Sequence, residues 1–351
     1  MTSGSLDTRR APDVLGMTPA ELARLAPLDG EPRYRAAALF RWLHKRGAAS
    51  FEEMSDLPEP LRARLRDASA IPLVDPVRDA TSADGSVKSI LRLHDGAVVE
   101  SVLMRDREKR TLCISTQVGC AVGCVFCATG AIGLARHLSP GEILRQVYVA
   151  ESRLNAAEPG RRLTNVVLMG MGEPLHNFDA VQRALANLVS RSGRGMSPRR
   201  ITLSTSGYPE RIAQLASDGP HVRLAISLTA ANDALRTRLI PLNKKYPLAA
   251  LLEAGRLYEK STRSRVTFEY VLLAGVNDSA EDARQLGRLL RGRRVNLIPL
   301  NAHAFSEMRP PELDVVDRFH AALKSAGVTS TVRWSKGGEI QAACGQLAAQ
   351  A

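Results

Sequence analysis

Three cysteines fall within eight residues, in Cys120-Ala-Val-Gly-Cys124-Val-Phe-Cys127. Thiolates are soft ligands, and ligands this closely spaced suit an iron–sulfur cluster. Three local ligands on a four-iron cluster leave one iron open, and an open metal position is where a substrate or cofactor binds. Gly119 and Gly123 keep the loop compact, and Phe126 shields one side of such a group from water. Two rival readings of the loop are a zinc site and a set of buried structural thiols. Zinc commonly takes paired C-x-x-C units, and its fourth ligand would have to be Cys113 or the distant Cys344. Five cysteines, odd in number and crowded, make a poor disulfide framework and a good metal site in a reducing compartment. A cytoplasmic location is expected on that ground.

The loop needs elements to hold it. From about residue 111 the chain alternates between strands and helices. The expected strands are Leu112–Thr116, Asn165–Met169, Ile201–Thr205, Val222–Leu228, Val266–Leu273, Val295–Leu300 and Val328–Trp334. Helices are expected over 178–191, 247–260, 279–291 and 311–326, and another opens on the capping box Ser139-Pro-Gly-Glu142. This alternation implies an α/β fold with a parallel sheet and helices outside it, flat or closed into a barrel. The cysteine loop then follows the first of these strands, at its carboxyl end, where ligands sit in such folds. The stretch before it differs. Short amphipathic helices are expected over 18–27, 32–46 and 58–68, then a hairpin of strands 87–93 and 97–104 turning at Asp95-Gly96. The expected organisation is a disordered lead over 1–13, a small helical/β accessory domain over 14–95 and a catalytic domain over 96–351.

The 351 residues carry 48 Lys plus Arg against 36 Asp plus Glu, a net charge of +12 that suits a polyanionic partner. Basic clusters stand at Arg199-Arg200, Lys244-Lys245, Arg291 to Arg294, and Arg62, Arg64 and Arg66. Aromatic residues make up only 4%, so an RNA platform rich in stacking side chains is not evident. No apolar run reaches the length of a membrane span, and the polar start of the chain has no secretory h-region.

C-x-x-x-C-x-x-C with an aromatic before the last cysteine resembles the signature of the radical S-adenosylmethionine (SAM) superfamily. The rest of the chain narrows the resemblance. Thr111-Leu-Cys-Ile-Ser-Thr-Gln-Val-Gly-Cys120, Met169-Gly-Met-Gly-Glu-Pro-Leu175, Leu203-Ser-Thr-Ser-Gly207, Pro241-Leu-Asn-Lys-Lys-Tyr246, Val276-Asn-Asp278 and Ala343-Cys-Gly-Gln-Leu347 are similar to stretches of the RlmN/Cfr family of RNA adenine methyltransferases. Arg41-Trp42 and Phe51-Glu-Glu-Met54 resemble that family's accessory domain. The resemblance runs over residues 14–349 and implies a partial (β/α)6 barrel of radical SAM type.

It also implies roles. Cys120, Cys124 and Cys127 match the ligands of a [4Fe-4S] cluster. Gly172, Glu173, Ser204, Ser227, Leu228, Thr229 and Asn301 match SAM-contacting positions. Cys344 matches a methyl-carrying cysteine, Cys113 its resolving partner and Glu100 a proton acceptor. The implied reaction uses two SAM per turnover. One methylates Cys344, and the second yields a radical that takes hydrogen from the S-methyl group. The resulting carbon radical adds to the adenine ring, Glu100 removes the ring proton, and Cys113 attacks Cys344 to release the product. The implied partners are 23S rRNA, transfer RNA as well, and an electron donor of the flavodoxin or ferredoxin kind; no membrane is involved and a monomer is expected.

Met171-Gly-Glu173-Pro174 and Ser206 before Gly207 favour methylation at adenine C2 over the Cfr-like C8. Thr229 stands where the family usually has histidine, and Ala-His-Ala-Phe after Asn301 lacks the usual prolines. The alternative from another class is a non-catalytic, zinc-bearing RNA-binding protein.

Overall fold

The computed structural model of the chain describes residues 11–348. Its strands are β1 Val74–Thr81, β2 Val87–Leu93, β3 Val98–Asp106, β4 Lys109–Cys113, β5 Gln117–Gly119, β6 Leu134–His137, β7 Asn165–Leu168, β8 Ile201–Thr205, β9 Arg223–Ser227, β10 Thr267–Leu272, β11 Arg294–Pro299 and β12 Thr329–Val332. Ten of them form one sheet in the order β1-β2-β3-β4-β7-β8-β9-β10-β11-β12. The pairs from β4 to β12 are all parallel, and those from β1 to β4 are antiparallel.

Six of the parallel strands are each followed by a helix that returns over the sheet: Pro140–Ala157, Phe178–Val189, Pro209–Asp218, Leu248–Thr262, Ala280–Leu289 and Leu313–Ser325. This is the expected partial (β/α)6 barrel, with β12 as one further strand. Local chemistry explains the elements. Ile201, Leu203 and Thr205 of β8 are buried in alternation, as the two-residue period of a strand requires. Ser139 and Glu142 cap Pro140–Ala157 reciprocally, and Ser279 and Asp282 do the same for Ala280–Leu289.

The N-terminal stretch departs from its expected boundaries. The helix expected over 18–27 is only Pro19–Leu22, with a separate 3-10 turn at Ala26–Leu28, because Pro27 lacks the amide a continuous helix needs. The one expected over 32–46 runs as Tyr34–Arg41 and then a π turn, Trp42–Arg46, ended by Gly47 at φ +70°. The hairpin at Asp95-Gly96 is present, but β2 pairs with β3 inside the barrel's own sheet, so a boundary at residue 95 would cut a continuous ladder. Of the disordered lead, residues 1–10 lie outside the described residues. Asp13 is ordered: its carboxylate accepts from Gly16 N (3.0 Å), Ser139 Oγ (2.8 Å) and Gly141 N (3.0 Å). It thereby ties the first described turn to the start of helix Pro140–Ala157. Asp13→Ala is expected to cost about 1–2 kcal/mol, as the loss of a buried capping carboxylate does, measured as a lower urea midpoint at unchanged m-value.

Most apolar side chains share one core that joins sheet and helices. A second, smaller cluster consists of Val122, Phe126, Leu239, Ile240, Leu273 and Leu300. Cys120, Cys124 and Cys127 pack against it, so the cysteine loop rests on a floor of its own.

Candidate functional site

The cysteine loop leaves the sheet after β4 through the short hairpin β5–β6. Gly119 has φ +79°, and a Cβ there would stand 1.8 Å from the Gly133 carbonyl oxygen. That close approach is what only glycine permits. The Cys120 amide then donates to Gly133 O at 2.7 Å, which fixes the start of the loop. Burial pushes all three thiols up, Cys120 to about 12. Buried thiols become thiolates only beside a strong positive charge, which a metal group provides. Among the described residues no three Cys, His, Asp or Glu side chains converge closely enough for one metal ion. The three thiols on an apolar floor fit a soft iron–sulfur cluster.

Beside the loop lies a cavity of 160 Å³ at the carboxyl ends of the parallel strands. It is lined by Cys124, Cys127, Gly172, Glu173, Ser204, Ser227, Thr229, Asn301 and Cys344, among others. Nine of the thirteen residues singled out from the sequence are thus brought to one place. The other four stand elsewhere. Cys120 sits on the apolar floor with its two neighbours. Leu228 is a fully buried core side chain, and only its backbone takes part, as Leu228 N donates to Glu269 O. Cys113 and Glu100 belong to the far side of Cys344, described below.

Each wall residue has a physical reason for its place. Gly172 has φ +98°, and a Cβ there would fall 2.5 Å from the Gln117 side chain. The buried Glu173 carboxylate accepts from Leu175 N (3.0 Å), Thr205 Oγ1 (2.7 Å) and Ser206 N (2.7 Å), which locks the ends of β7 and β8 together. Burial nevertheless raises its pKa. Glu173 therefore holds the wall as well as facing the cavity. Asn301 donates to Ser335 Oγ (2.9 Å) and to the Cys344 carbonyl (3.1 Å), so its amide positions the loop that carries Cys344. Thr229 adopts φ +59°, a conformation a β-branched residue rarely takes outside functional sites.

Two wall atoms make no hydrogen bond. Thr229 Oγ1 and Glu269 Oε1 are buried without a hydrogen bond. Buried polar atoms are ordinarily satisfied, so these two, facing the cavity, fit a ligand that carries hydroxyl and ammonium groups, as SAM does. Glu269 escaped the sequence reading. It accepts from Ser204 Oγ at 2.9 Å and lies 3.7 Å from Arg333. Its signal was present: one carboxylate between Phe268 and Tyr270 in an otherwise apolar strand.

Cys344 also lines a second cavity, of 210 Å³, with Cys113, Val102, Met104, Met169 and Arg333. Both thiols are free. Burial raises both, Cys113 to about 12, while the Arg333 guanidinium draws Cys344 back down. The loop bearing Cys344 is clasped by Ala128 N on Gly345 O (2.8 Å), by Thr129 Oγ1 on Leu347 O and by Gln346 on Ala302 O (2.8 Å). Glu100 lies two residues before Val102 on β3. Residues 100, 102 and 104 share one face of a strand, so Glu100 lies on the same side of β3 as Val102 and Met104, next to the cavity without lining it. One carboxylate oxygen of Glu100 is 3.3 Å from Lys88 Nζ and the other has no partner.

The chain is similar to known proteins over nearly its whole length. The radical SAM superfamily model matches residues 114–287, and a model described as the ribosomal RNA large subunit methyltransferase N-terminal domain matches residues 12–71. The chain is 48% identical over 344 residues to the dual-specificity RNA methyltransferase RlmN of Anaeromyxobacter sp. (strain Fw109-5), covering 97% of this chain and 91% of that one. It is 49% identical over 321 residues to the probable dual-specificity RNA methyltransferase RlmN of Rhodopirellula baltica, covering 91% and 86%. A crystal structure of a radical SAM methyltransferase from Sphaerobacter thermophilus superposes with a TM-score of 0.92 at 46% identity, over 97% of this chain and 100% of that one.

Proposed function

The chain belongs to the RlmN family of radical SAM RNA methyltransferases, and from that premise we propose that it methylates C2 of an adenine in 23S rRNA and in transfer RNA, by way of Cys344. The enzyme uses a [4Fe-4S] cluster and SAM. The observation that carries the proposal is the position of Cys344 as a common wall of two cavities, one holding the cluster and SAM residues and the other holding Cys113.

When bound, the cluster supplies the electron that makes the methyl group on Cys344 reactive by hydrogen abstraction. The rest is the work of the chain. Cys120, Cys124 and Cys127 are the cluster ligands. Glu173, Ser204, Thr229 and Glu269 receive SAM, and Gly172 leaves room for it. Arg333 favours the thiolate of Cys344, which accepts the methyl group from the first SAM. The carbon carried on Cys344 bonds to the ring carbon; the one electron returns to the bound cluster, and Glu100 takes the ring proton. The sulfur of Cys113 then attacks that of Cys344, so that a disulfide forms as the bond from Cys344 sulfur to the product carbon breaks; that carbon keeps the electron pair and takes up a proton, and an external thiol reductant restores the two cysteines.

The helical N-terminal segment and the basic clusters at Arg62–Arg66, Arg199-Arg200 and Lys244-Lys245 position the RNA through its phosphates. An electron donor of the flavodoxin or ferredoxin kind, a monomeric state and a cytoplasmic location complete the reading. No helix among the described residues is long and apolar enough to cross a membrane.

The test is mass spectrometry of adenosines from ribosomal RNA incubated with anaerobically reconstituted enzyme, reductant and trideuteromethyl SAM. 2-Methyladenosine that keeps two of the three deuteriums is the expected product. Three retained deuteriums mean direct polar transfer and overturn the cysteine relay, and label at C8 overturns the C2 assignment.

Glu100 adds a pH dependence. Burial raises its pKa, and Lys88 at 3.3 Å counters the rise. As a base it acts only when ionised, so the rate of adduct resolution rises with pH through this pKa and then levels off. Lys88→Met removes the counter-charge and raises the pKa further. The limb should move about one to three pH units towards alkali in single-turnover assays. An unmoved limb would remove Glu100 from the proton transfer.

A further inference from the structure

We propose that Trp334 is the stacking platform on which the target adenine rests while it reacts at Cys344. The proposal depends on the RNA-methylating function above and adds the residue that receives the base. Of the two tryptophans in the chain, Trp42 is 9% exposed and covered by Arg46, whereas Trp334 is 56% exposed. An exposed indole is costly in water and is informative where it borders a cavity. Trp334 lines the cavity of 210 Å³ that holds Cys113 and Cys344. A base in that cavity is therefore the base beside the two reacting sulfurs.

The backbone is anchored on both sides of the indole. Arg333 N donates to Leu297 O at 2.8 Å, which extends the pairing of β12 up to the tryptophan. Beyond it, Ser335 Oγ accepts from Asn301, and Gly337 N donates to Asp84 at 3.2 Å. A ring on an anchored stretch of backbone leaves only its own side-chain torsions to be ordered when a base lands on it. The thioethers of Met104 and Met169 give the same cavity an apolar, polarisable wall, the kind of surface that packs well against an aromatic ring. A flipped base is read in such surroundings, stacked between aromatic and apolar side chains. Low aromatic content argued against a broad stacking surface. One indole beside the two sulfurs is enough for a single extruded nucleotide.

Tryptophan fluorescence tests this directly, because Trp42 is buried and serves as an internal reference. The reconstituted enzyme is titrated with an RNA hairpin carrying the target adenine, and with the same hairpin made abasic at that position. Stacking should quench the exposed indole with the first RNA and not with the second. Trp334→Ala should raise KM for RNA by about five- to a hundredfold, the range that base–aromatic stacking carries, with a much smaller change in kcat. Trp334→Phe keeps an aromatic face and should recover most of that loss. Iron content and circular dichroism check that both variants fold. Equal quenching by the abasic hairpin, or a wild-type KM in Trp334→Ala, overturns the platform while leaving the methyltransferase reading intact. A wild-type enzyme that methylates no RNA overturns that reading itself.

Discussion

Cys344→Ala protein is expected to bind SAM and hold its iron, yet to form no methyladenine at all. The reason is positional. Of the residues around the cavity of Cys124 and Cys127, Cys344 and Met169 also line the cavity of Cys113. Its loop is anchored by backbone contacts from Ala128 and Asn301, which do not need the sulfur, so the alanine variant keeps its fold. Of the two, only Cys344 has a thiol that can take up a methyl group and later be attacked by Cys113, so removing its sulfur removes the carrier. Cys113→Ala should fail differently. It retains the carrier but lacks the thiol that frees the product, so protein crosslinked to RNA accumulates and shows as a band of reduced mobility on a denaturing gel. The double variant should behave as Cys344→Ala, because groups acting in sequence are not additive. Methyladenine from Cys344→Ala, or product released at the wild-type rate by Cys113→Ala, would refute the relay.

The three loop cysteines gave the clearest chemical signal, because their spacing suits a cluster, whereas Cys113 and Cys344 carry no local pattern and were singled out only through the family resemblance. The barrel strands were nearly as plain. β7 to β12 are short runs rich in apolar and β-branched residues, and the structure places each within two residues of its expected end. What escaped was short or locally ambiguous. β1 reads Val74-Asp-Pro-Val-Arg-Asp-Ala-Thr81, and Pro76 with its many charges argues against a strand. The sheet tolerates it because β1 is an edge strand with a register shift between Pro76 and Arg78. Helix Asp233–Leu239 spans only seven residues, too few for a periodic signal, and the hairpin β5–β6 is shorter still. Glu269, Arg333 and Arg236 were missed for another reason. Each acts through partners distant in sequence, and a lone charge in one chain does not announce which strand end it will meet.

Arg236 shows how much such a residue can matter. It is fully buried, and burial lowers its pKa to about 10, which still leaves it charged at neutral pH. Its Nη2 donates to Ser206 O (2.6 Å) and Ser227 O (3.0 Å), its Nε to Leu228 O (3.1 Å) and its Nη1 to Asn243 Oδ1 (2.8 Å). One planar cation thus gathers the ends of β8 and β9, where Ser204, Ser227 and Thr229 face the SAM cavity. The same charge lies within Coulomb reach of Cys124. Arg236→Met fills a similar volume but leaves several buried acceptors without donors. Each unsatisfied group costs about 1–3 kcal/mol, so a loss of at least 3 kcal/mol is expected, or roughly 4 °C in thermal midpoint for a chain of this length. SAM affinity should fall with it, because the strand ends lose their common anchor. Arg236→Lys keeps the charge, but a single ammonium cannot span three carbonyls in a fixed fork, so it should fall between the two. Thermal unfolding of the cluster-loaded protein and equilibrium dialysis with SAM measure both effects. An Arg236→Met enzyme that melts at the wild-type temperature and binds SAM normally would show that the strand ends hold their positions without it.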